Sequence, residues 1–350
     1  MKTQVMEVAV ALAAAWTLAG RPQTTSELPS LDVARILAAQ YPEEISVRYI
    51  PALAWSGALR LSELTGEARW GQKARREMQP FISGEQPTIT APYTLANLAG
   101  HLALSDLAAA EGNVAAAGIA RKAAEFILPQ SSDEFARFLR WWTDDMFMAT
   151  SLLARVGART GDDRYSSVIG RLLTAYAGKL QRPDGLFVHA VEGPYAWGRG
   201  NGFAALGMVD ALMYLPDGWP DRAAVLEIYR RQMRAMLTHQ SEEGAWRQVV
   251  DEPTAYKELT VTAMTVAAMA RGVRRGWLDR DIVPAIDRGW RAVLVRVSSD
   301  GTLRDVCAST GAGPTKAYYL TRPSITGADD RGGALVLLAA LEVHELRAMR

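Results

Sequence analysis

The chain has 350 residues, 49% of them hydrophobic, and a formal net charge of +1. That length can bury a large core, and it can form one domain if the architecture is a barrel. The even charge balance, with no Lys/Arg run, argues against a nucleic-acid partner, and a lone cysteine, Cys307, excludes an intramolecular disulfide and a Cys-rich zinc site.

Residues 8–19 are an apolar run behind Lys2. The run suits either a signal h-region or a first amphipathic helix closed by Gly20. Glu7 interrupts its start and Gly20-Arg21-Pro22 is a poor cleavage site, so the helix is preferred. A cytoplasmic location is expected, with the periplasm as the alternative. No apolar stretch reaches transmembrane length uninterrupted, so no membrane partner is expected. Hydrophobic spacing then predicts helices over 52–64, 70–78, 96–110, 115–127, 146–156, 167–180, 204–215, 223–237, 262–275, 282–297 and 333–349. Few runs alternate as strands do.

The turn glycines organise these helices. They fall at 20, 66, 112, 161, 218 and 276, at intervals of 46, 46, 49, 57 and 58. Two helices of ordinary length with their loops consume such an interval. The segments Leu64-Thr65-Gly66-Glu67-Ala68-Arg69-Trp70 and Arg159-Thr160-Gly161-Asp162-Asp163-Arg164-Tyr165 also resemble each other. Each reads as a C-cap glycine followed by an acid-started helix carrying an aromatic. Six helical hairpins in series predict an all-α, six-hairpin (α/α)6 barrel, with 1–350 as a single domain. An open solenoid would need polar end caps, which are not evident. Function is expected in the long connections, 81–92, 130–140, 182–200, 241–257 and 298–330, which are rich in aromatics, His, Arg and acids. Aromatic platforms beside fixed polar groups suit sugar rings.

Several constellations could carry chemistry. Trp141-Trp142-Thr143-Asp144-Asp145-Met146-Phe147-Met148 runs two indoles into two acids at the start of an apolar helix. A carboxyl beside indoles has its pKa raised and holds a proton ready. Equally, acids in a first turn suit the helix dipole, with Thr143 as N-cap. Asp184-Gly185 is a turn, and a short extended piece then places His189 at a rim, unless it is an ordinary surface loop residue. Four histidines, at 101, 189, 239 and 344, never sit at metal-ligand spacing. Trp197-Gly198-Arg199-Gly200-Asn201-Gly202-Phe203 combines flexible backbone, helix amides and a guanidinium. That is an anion site, better suited to a carboxylate than a phosphate, or else a tight helix entry. Gly244-Ala245-Trp246-Arg247-Gln248 precedes Glu258 and Thr260, which are either site residues or helix-start caps. Asp305, Tyr318-Tyr319 and Asp329-Asp330-Arg331-Gly332-Gly333 form a last group, which also reads as a solvated loop pairing at a helix start. No Ser or Cys occupies a nucleophile elbow, so acyl transfer has little support.

These residues resemble a known family. Trp142-x-Asp144-x-x-Phe147-Met148 is similar to the acid-bearing helix start of the unsaturated glucuronyl and rhamnogalacturonyl hydrolases, glycoside hydrolase families 88 and 105. The Trp197 to Phe203 motif, with Val209-Asp210 and Tyr214-Leu215-Pro216 after it, resembles the second and most specific family motif. Gly244-Ala245-Trp246-Arg247-Gln248-Val249, Glu258-Leu259-Thr260-Val261-Thr262-Ala263-Met264 and Asp330-Arg331-Gly332-Gly333 follow in order. The match covers roughly residues 90–345 and fits family 105 better than 88.

The resemblance implies a six-hairpin α/α barrel. It also implies a substrate bearing a Δ4,5-unsaturated uronic acid at its non-reducing end, and a reaction needing no metal or cofactor. One acid would protonate C4 and water would add at C5, unlike the usual pair of carboxylates. Asp144 matches the family's general acid/base, Trp142 its packing aromatic, His189 the histidine holding water or substrate, and Arg199 the arginine facing the uronate. Phe203 stands where the family usually has Trp. Trp246 and Glu258 are expected among the substrate contacts. The family's second Asp, expected near residue 97, is missing here, and Asn97 or His101 would substitute for its hydrogen bonding. The alternatives are a glycosidase on saturated uronides, with Asp145 or Glu258 as second carboxylate, and a non-catalytic sugar-binding barrel.

Overall fold

The computed structural model describes residues 28–131 and 134–349. The predicted helix within 8–19 lies outside them. Six hairpins follow one another, each running from an outer helix to an inner one. The first is α1 (Ser30–Gln40) and α2 (Tyr49–Thr65). Next come α3 (Ala68–Ile82) and an inner helix in two parts, α4 (Leu95–Leu98) and α5 (Leu102–Glu111), joined by one 3-10 turn. The third pairs α6 (Val114–Ile127) with α7 (Thr143–Met148) and its continuation α8 (Thr150–Thr160). Then follow α9 (Asp163–Leu180) with α10 (Gly198–Tyr214), and α11 (Arg222–Thr238) with α12 (Leu259–Arg274). The last pairs α13 (Val283–Leu294) with α15 (Asp330–Ala348), with a short α14 (Lys316–Leu320) in the connection.

The inner helices pack side by side in the order α2, α5, α8, α10, α12 and α15, and α15 returns to α2, closing the ring. Apolar residues on every side make a helix buried on every side. Residues 198–212 of α10 and 259–273 of α12 are buried without a break. Outer helices bury one stripe only. In α3 that stripe is Trp70, Ala74, Met78 and Phe81, at helical spacing. The predicted (α/α)6 barrel is therefore the observed fold.

The two ends of the barrel differ because their turns differ. At one end, inner helices turn back to outer ones through Gly66, Gly112, Gly161 and Gly276, with φ of 72°, 68°, 66° and 70°. Left-handed backbone of this kind favours glycine and closes a helix in one residue. Gly218 is the exception. There α10 ends at Tyr214 and Leu215 is extended before Pro216, so proline stops the helix instead. The other end gathers the long connections and every inner-helix N-terminus. Besides α14, which falls in an expected connection, two further elements depart from the sequence reading. Helix α1, which no predicted helix covers, lays Val33, Ala34, Leu37 and Ala38 against α15. The connection 298–330 holds an antiparallel ribbon of β1 (Leu303–Cys307) and β2 (Ser324–Gly327), with an irregular register between Leu303 and Val306.

Candidate active site

The long-connection mouth brings Asp144 and His189 together. Trp142, not Thr143, is the N-cap of α7. Its carbonyl accepts from the Asp145 N–H at 2.9 Å, and Thr143 N–H donates to the His189 carbonyl at 2.9 Å. Trp142 also bridges to Ala190 as antiparallel backbone. This short pairing lays residues 189–190 along the helix start. His189 Nε2 then lies 3.2 Å from Asp144 Oδ2. The Asp144 side chain is buried but for 11% of its surface, while the imidazole is fully buried. Among the described residues no arginine pairs with Asp144.

The imidazole is held on every side. Its ring lies 4.4 Å from Trp197, 5.3 Å from Trp142 and 5.7 Å from Tyr319. Nδ1 lies 2.9 Å from the Tyr319 hydroxyl, whose oxygen accepts from the Gly313 N–H at 3.3 Å. The phenol is then assigned as the proton donor to Nδ1. His189 then carries its own proton on Nε2 and donates it to Asp144, an assignment made from the partners. Burial pushes the Tyr319 phenol up to about 12, which keeps the donor protonated. Sequence reasoning noticed Tyr319 but gave it no role, because its partner is 130 positions away.

Trp142 faces the mouth. Its Nε1 donates to Glu192 Oε1 at 2.6 Å, and the Arg140 guanidinium lies 4.1 Å from its ring centre. Asp145 points the other way. It is fully buried, and burial pushes its carboxyl up to about 6. Tyr49, at the start of α2, is a residue the sequence reading missed. Its ring meets Phe203 edge-on at 5.8 Å. Burial raises its phenol first, and Asp144 second, while Arg199, Arg331 and Arg48 oppose them. Tyr49 lies just ahead of the predicted helix 52–64, which begins earlier in the structure, at Tyr49 itself.

Several expected substrate contacts are corrected. Arg199 donates to the Cys307 carbonyl at 2.6 Å and the Ala308 carbonyl at 2.9 Å, so two backbone oxygens occupy the place expected for a carboxylate. Phe203 is fully buried and stacks on Phe147 at 5.8 Å, as floor rather than wall. Trp246 is fully buried, its Nε1 donating to the Met236 carbonyl at 2.6 Å. Glu258 caps α12 through the Val261 N–H at 2.7 Å and holds β1 through the Cys307 N–H at 2.9 Å. Thr260 donates to the same carboxylate, which is fully buried. His101 is buried with Nδ1 donating to the Leu98 carbonyl at 2.7 Å, and burial lowers its pKa to about 4, so the ring is neutral. Asn97 alone of these remains half-exposed, with its amide donating to the Pro92 carbonyl at 3.2 Å.

A cavity of about 710 Å³ lies at the other end of the barrel, lined by Arg60, Asp106, Arg155, Asp210, Tyr214 and Arg271. Its buried charges are satisfied by one another: Arg155 pairs with Asp106 at 2.8 Å and with Asp210 at 2.7 Å. It lacks the carboxyl–imidazole pair, so the mouth is the catalytic candidate.

A closed ring of six hairpins with an acid and a histidine poised at one mouth is the build of an (α/α)6-barrel glycoside hydrolase. The family model for Glycosyl Hydrolase Family 88 matches residues 32–347, and the chain belongs to that family. An unsaturated 3S-rhamnoglycuronyl hydrolase of Alteromonas sp. (strain LOR) is 30% identical over 179 residues, 47% of this chain and 43% of that protein. The unsaturated rhamnogalacturonyl hydrolase YesR of Bacillus subtilis (strain 168) is 28% identical over 197 residues, 54% of this chain and 53% of that protein. By these matches the chain spans about half the length of the curated relatives. A family 105 glycoside hydrolase of C. acetobutylicum ATCC 824 shares the fold with a TM-score of 0.78 at 21% identity, covering 92% of this chain and 100% of that one.

Proposed function

We propose that this chain hydrolyses oligosaccharides ending in a Δ4,5-unsaturated uronic acid, the products of polysaccharide lyases. The pairing of Asp144 with a tautomer-fixed His189 carries the reading. Protonated on Oδ1, Asp144 gives its proton to C4 of the C4=C5 enol ether, and positive charge develops at C5 and the ring oxygen. The His189 Nε2–H already donates to Oδ2, so the carboxylate left behind is stabilised as it forms. Water then adds at C5 and returns a proton to Oδ1. The C5 hemiketal opens to a ketone, and C1, now a hemiacetal carbon, releases the rest of the sugar as an alcohol. Acid and base are the same group, so the chemistry needs one carboxyl.

The two residues offered as a second carboxyl, Asp145 and Glu258, are both committed to structure. That favours this reading over hydrolysis of saturated uronides. Arg48, exposed beside Tyr49, offers a cationic group for a uronate, whereas Arg331 is already paired with Asp329 at 2.5 Å. The relatives' names suggest rhamnose-linked uronides as first substrates to try. Incubation with lyase-made disaccharides should abolish the ultraviolet absorbance of the conjugated double bond. Unchanged absorbance across pectic, glycosaminoglycan and ulvan disaccharides would overturn the proposal.

A further inference from the structure

Asp145 directly follows the candidate acid, yet its carboxylate looks away from the mouth. Its Oδ2 accepts from the Tyr176 hydroxyl at 2.6 Å, the Arg140 N–H at 2.7 Å and the Trp142 N–H at 3.2 Å. The Tyr176 oxygen accepts in turn from the Trp141 N–H at 3.2 Å. One carboxylate and one phenol thus hold the backbone N–H groups of three consecutive residues. That segment is strained. Trp141 has φ of 60°, a left-handed conformation that bulky side chains rarely adopt.

The strain sends neighbouring indoles to opposite sides. Trp141 stacks on Tyr176 at 4.6 Å and 15°, with Lys179 Nζ 4.0 Å from its ring centre. Trp142 turns to the mouth and lies against His189. Left to itself, the chain would relax Trp141 to negative φ and swing Trp142 off the imidazole. The backbone pairing that sets His189 beside Asp144 starts at that same residue.

We infer that Asp145 is a positioning residue: with Tyr176 it clamps residues 140–142 in the strained turn that presents Trp142 and Asp144 to His189. The inference rests on reading Asp144 as the acid. A direct role for Asp145 would need an oxygen at the mouth, but Oδ2 is spent and Oδ1 is buried without a partner. The groups facing it are Tyr176 from α9, Arg140 from the connection and Asp144 on its own helix. The Arg140 side chain is stacked on Trp142 rather than paired with it.

Three variants test this, each read by turnover of an unsaturated disaccharide, by the near-ultraviolet circular dichroism of the indoles, and by melting. Asp145→Asn keeps an acceptor for the clamp and should lose roughly tenfold in kcat, whereas Asp145→Ala should lose about a hundredfold, as small misplacements of catalytic groups do. Tyr176→Phe keeps the stack, drops the hydroxyl, and should lose roughly tenfold. The indole signal should change in all three, most in Asp145→Ala. Asp145→Asn as inactive as Asp145→Ala, with an unchanged indole signal, would mean direct chemistry and overturn the inference. Full turnover in Asp145→Asn and Tyr176→Phe with unaltered spectra would also overturn it, whether or not the alanine variant folds. A wild-type protein without turnover sinks the reading of Asp144 instead. The indole signal then decides the clamp alone, and no change on losing the carboxylate ends it.

Discussion

His189 stands 3.2 Å from Asp144, and the Tyr319 hydroxyl 2.9 Å from the other ring nitrogen assigns the imidazole proton to the side facing the carboxylate. One side chain comes from the first turn of α7 and the other two from different connections of the ring. The barrel therefore acts as a frame: hairpin order decides which connections meet, and their local geometry decides which atoms face.

Asp144→Asn should abolish turnover while leaving the fold intact. The amide retains a hydrogen-bond acceptor for His189 but cannot deliver a proton to carbon. General acid–base catalysis contributes about 10²–10⁴-fold, and a fall of at least about a thousandfold is expected here, since one group both gives and takes the proton. Steady-state kinetics beside a thermal melt checks this. Turnover within tenfold of wild type in a normally melting protein would remove Asp144 from the mechanism.

Tyr319→Phe removes the donor to His189 Nδ1. The ring packing against His189 stays, but the imidazole becomes free to place its proton on Nδ1, where it no longer supports the Asp144 carboxylate. A lost hydrogen bond is worth roughly 1 kcal/mol, so kcat should drop about fivefold to tenfold, and losing the partner of the Gly313 N–H should lower the melting temperature as well. His189→Ala should cost more. Equal rates for wild type and Tyr319→Phe would show that the tautomer is set otherwise.

The barrel was legible in the sequence because its signals are local. Four of the turn glycines take the left-handed backbone that a one-residue helix stop requires, and their spacing counts hairpins. Helix α1 was not predicted, although Val33 and Leu37 stand on its buried face with Ala34 and Ala38. The site was legible only in part. Asp144 and His189 stand out in their motifs and take their roles from the resemblance, and the coordinates bring them together. Phe203, Trp246, Glu258 and His101 sit in the right motifs, but motif position does not give helical phase. All four turn into the protein, Phe203 as packing and the other three to serve backbone groups. The ribbon β1–β2 escaped because its register is irregular and its strands are short.

Glu342→Gln should be among the most destabilising single changes at the end opposite the mouth. Glu342 is buried on α15 and accepts from Arg271 Nε at 2.8 Å and Arg274 Nη2 at 2.7 Å, with Arg60 on the same carboxylate. Burial alone would raise this carboxyl, but Arg271 and Arg60 overcome it and hold it well below the ordinary range. Its contribution is thus present above the unfolded pKa and is lost as pH falls. Removing the charge leaves three guanidiniums facing one another, and breaking such buried pairs costs about 3–5 kcal/mol. Chemical denaturation at neutral pH measures it. A loss under 1 kcal/mol would mean that the pairs Arg271 already makes with Asp210, and Arg60 and Arg274 with Glu345, suffice without Glu342.

Asp145 gives a stability effect of the opposite sign. Burial pushes its carboxyl from 3.8 up to about 6, so the folded protein favours the neutral form. The stability this contributes is complete below the unfolded pKa and is lost as pH rises through about 6. At 1.36 kcal/mol per unit, the loss approaches roughly 3 kcal/mol by neutral pH. Asp145→Asn cannot ionise and escapes this loss. It places an amide where Oδ1 lies without a partner, at a fixed cost of about 1–3 kcal/mol. The variant should therefore be less stable than wild type near pH 4, and the gap should close or reverse by pH 8. Every other titrating group is common to both proteins and cancels in the difference. Denaturation curves of the pair at the two pH values read the result directly. A gap that stays constant would show that Asp145 is ionised throughout, its charge carried by the three donors on Oδ2.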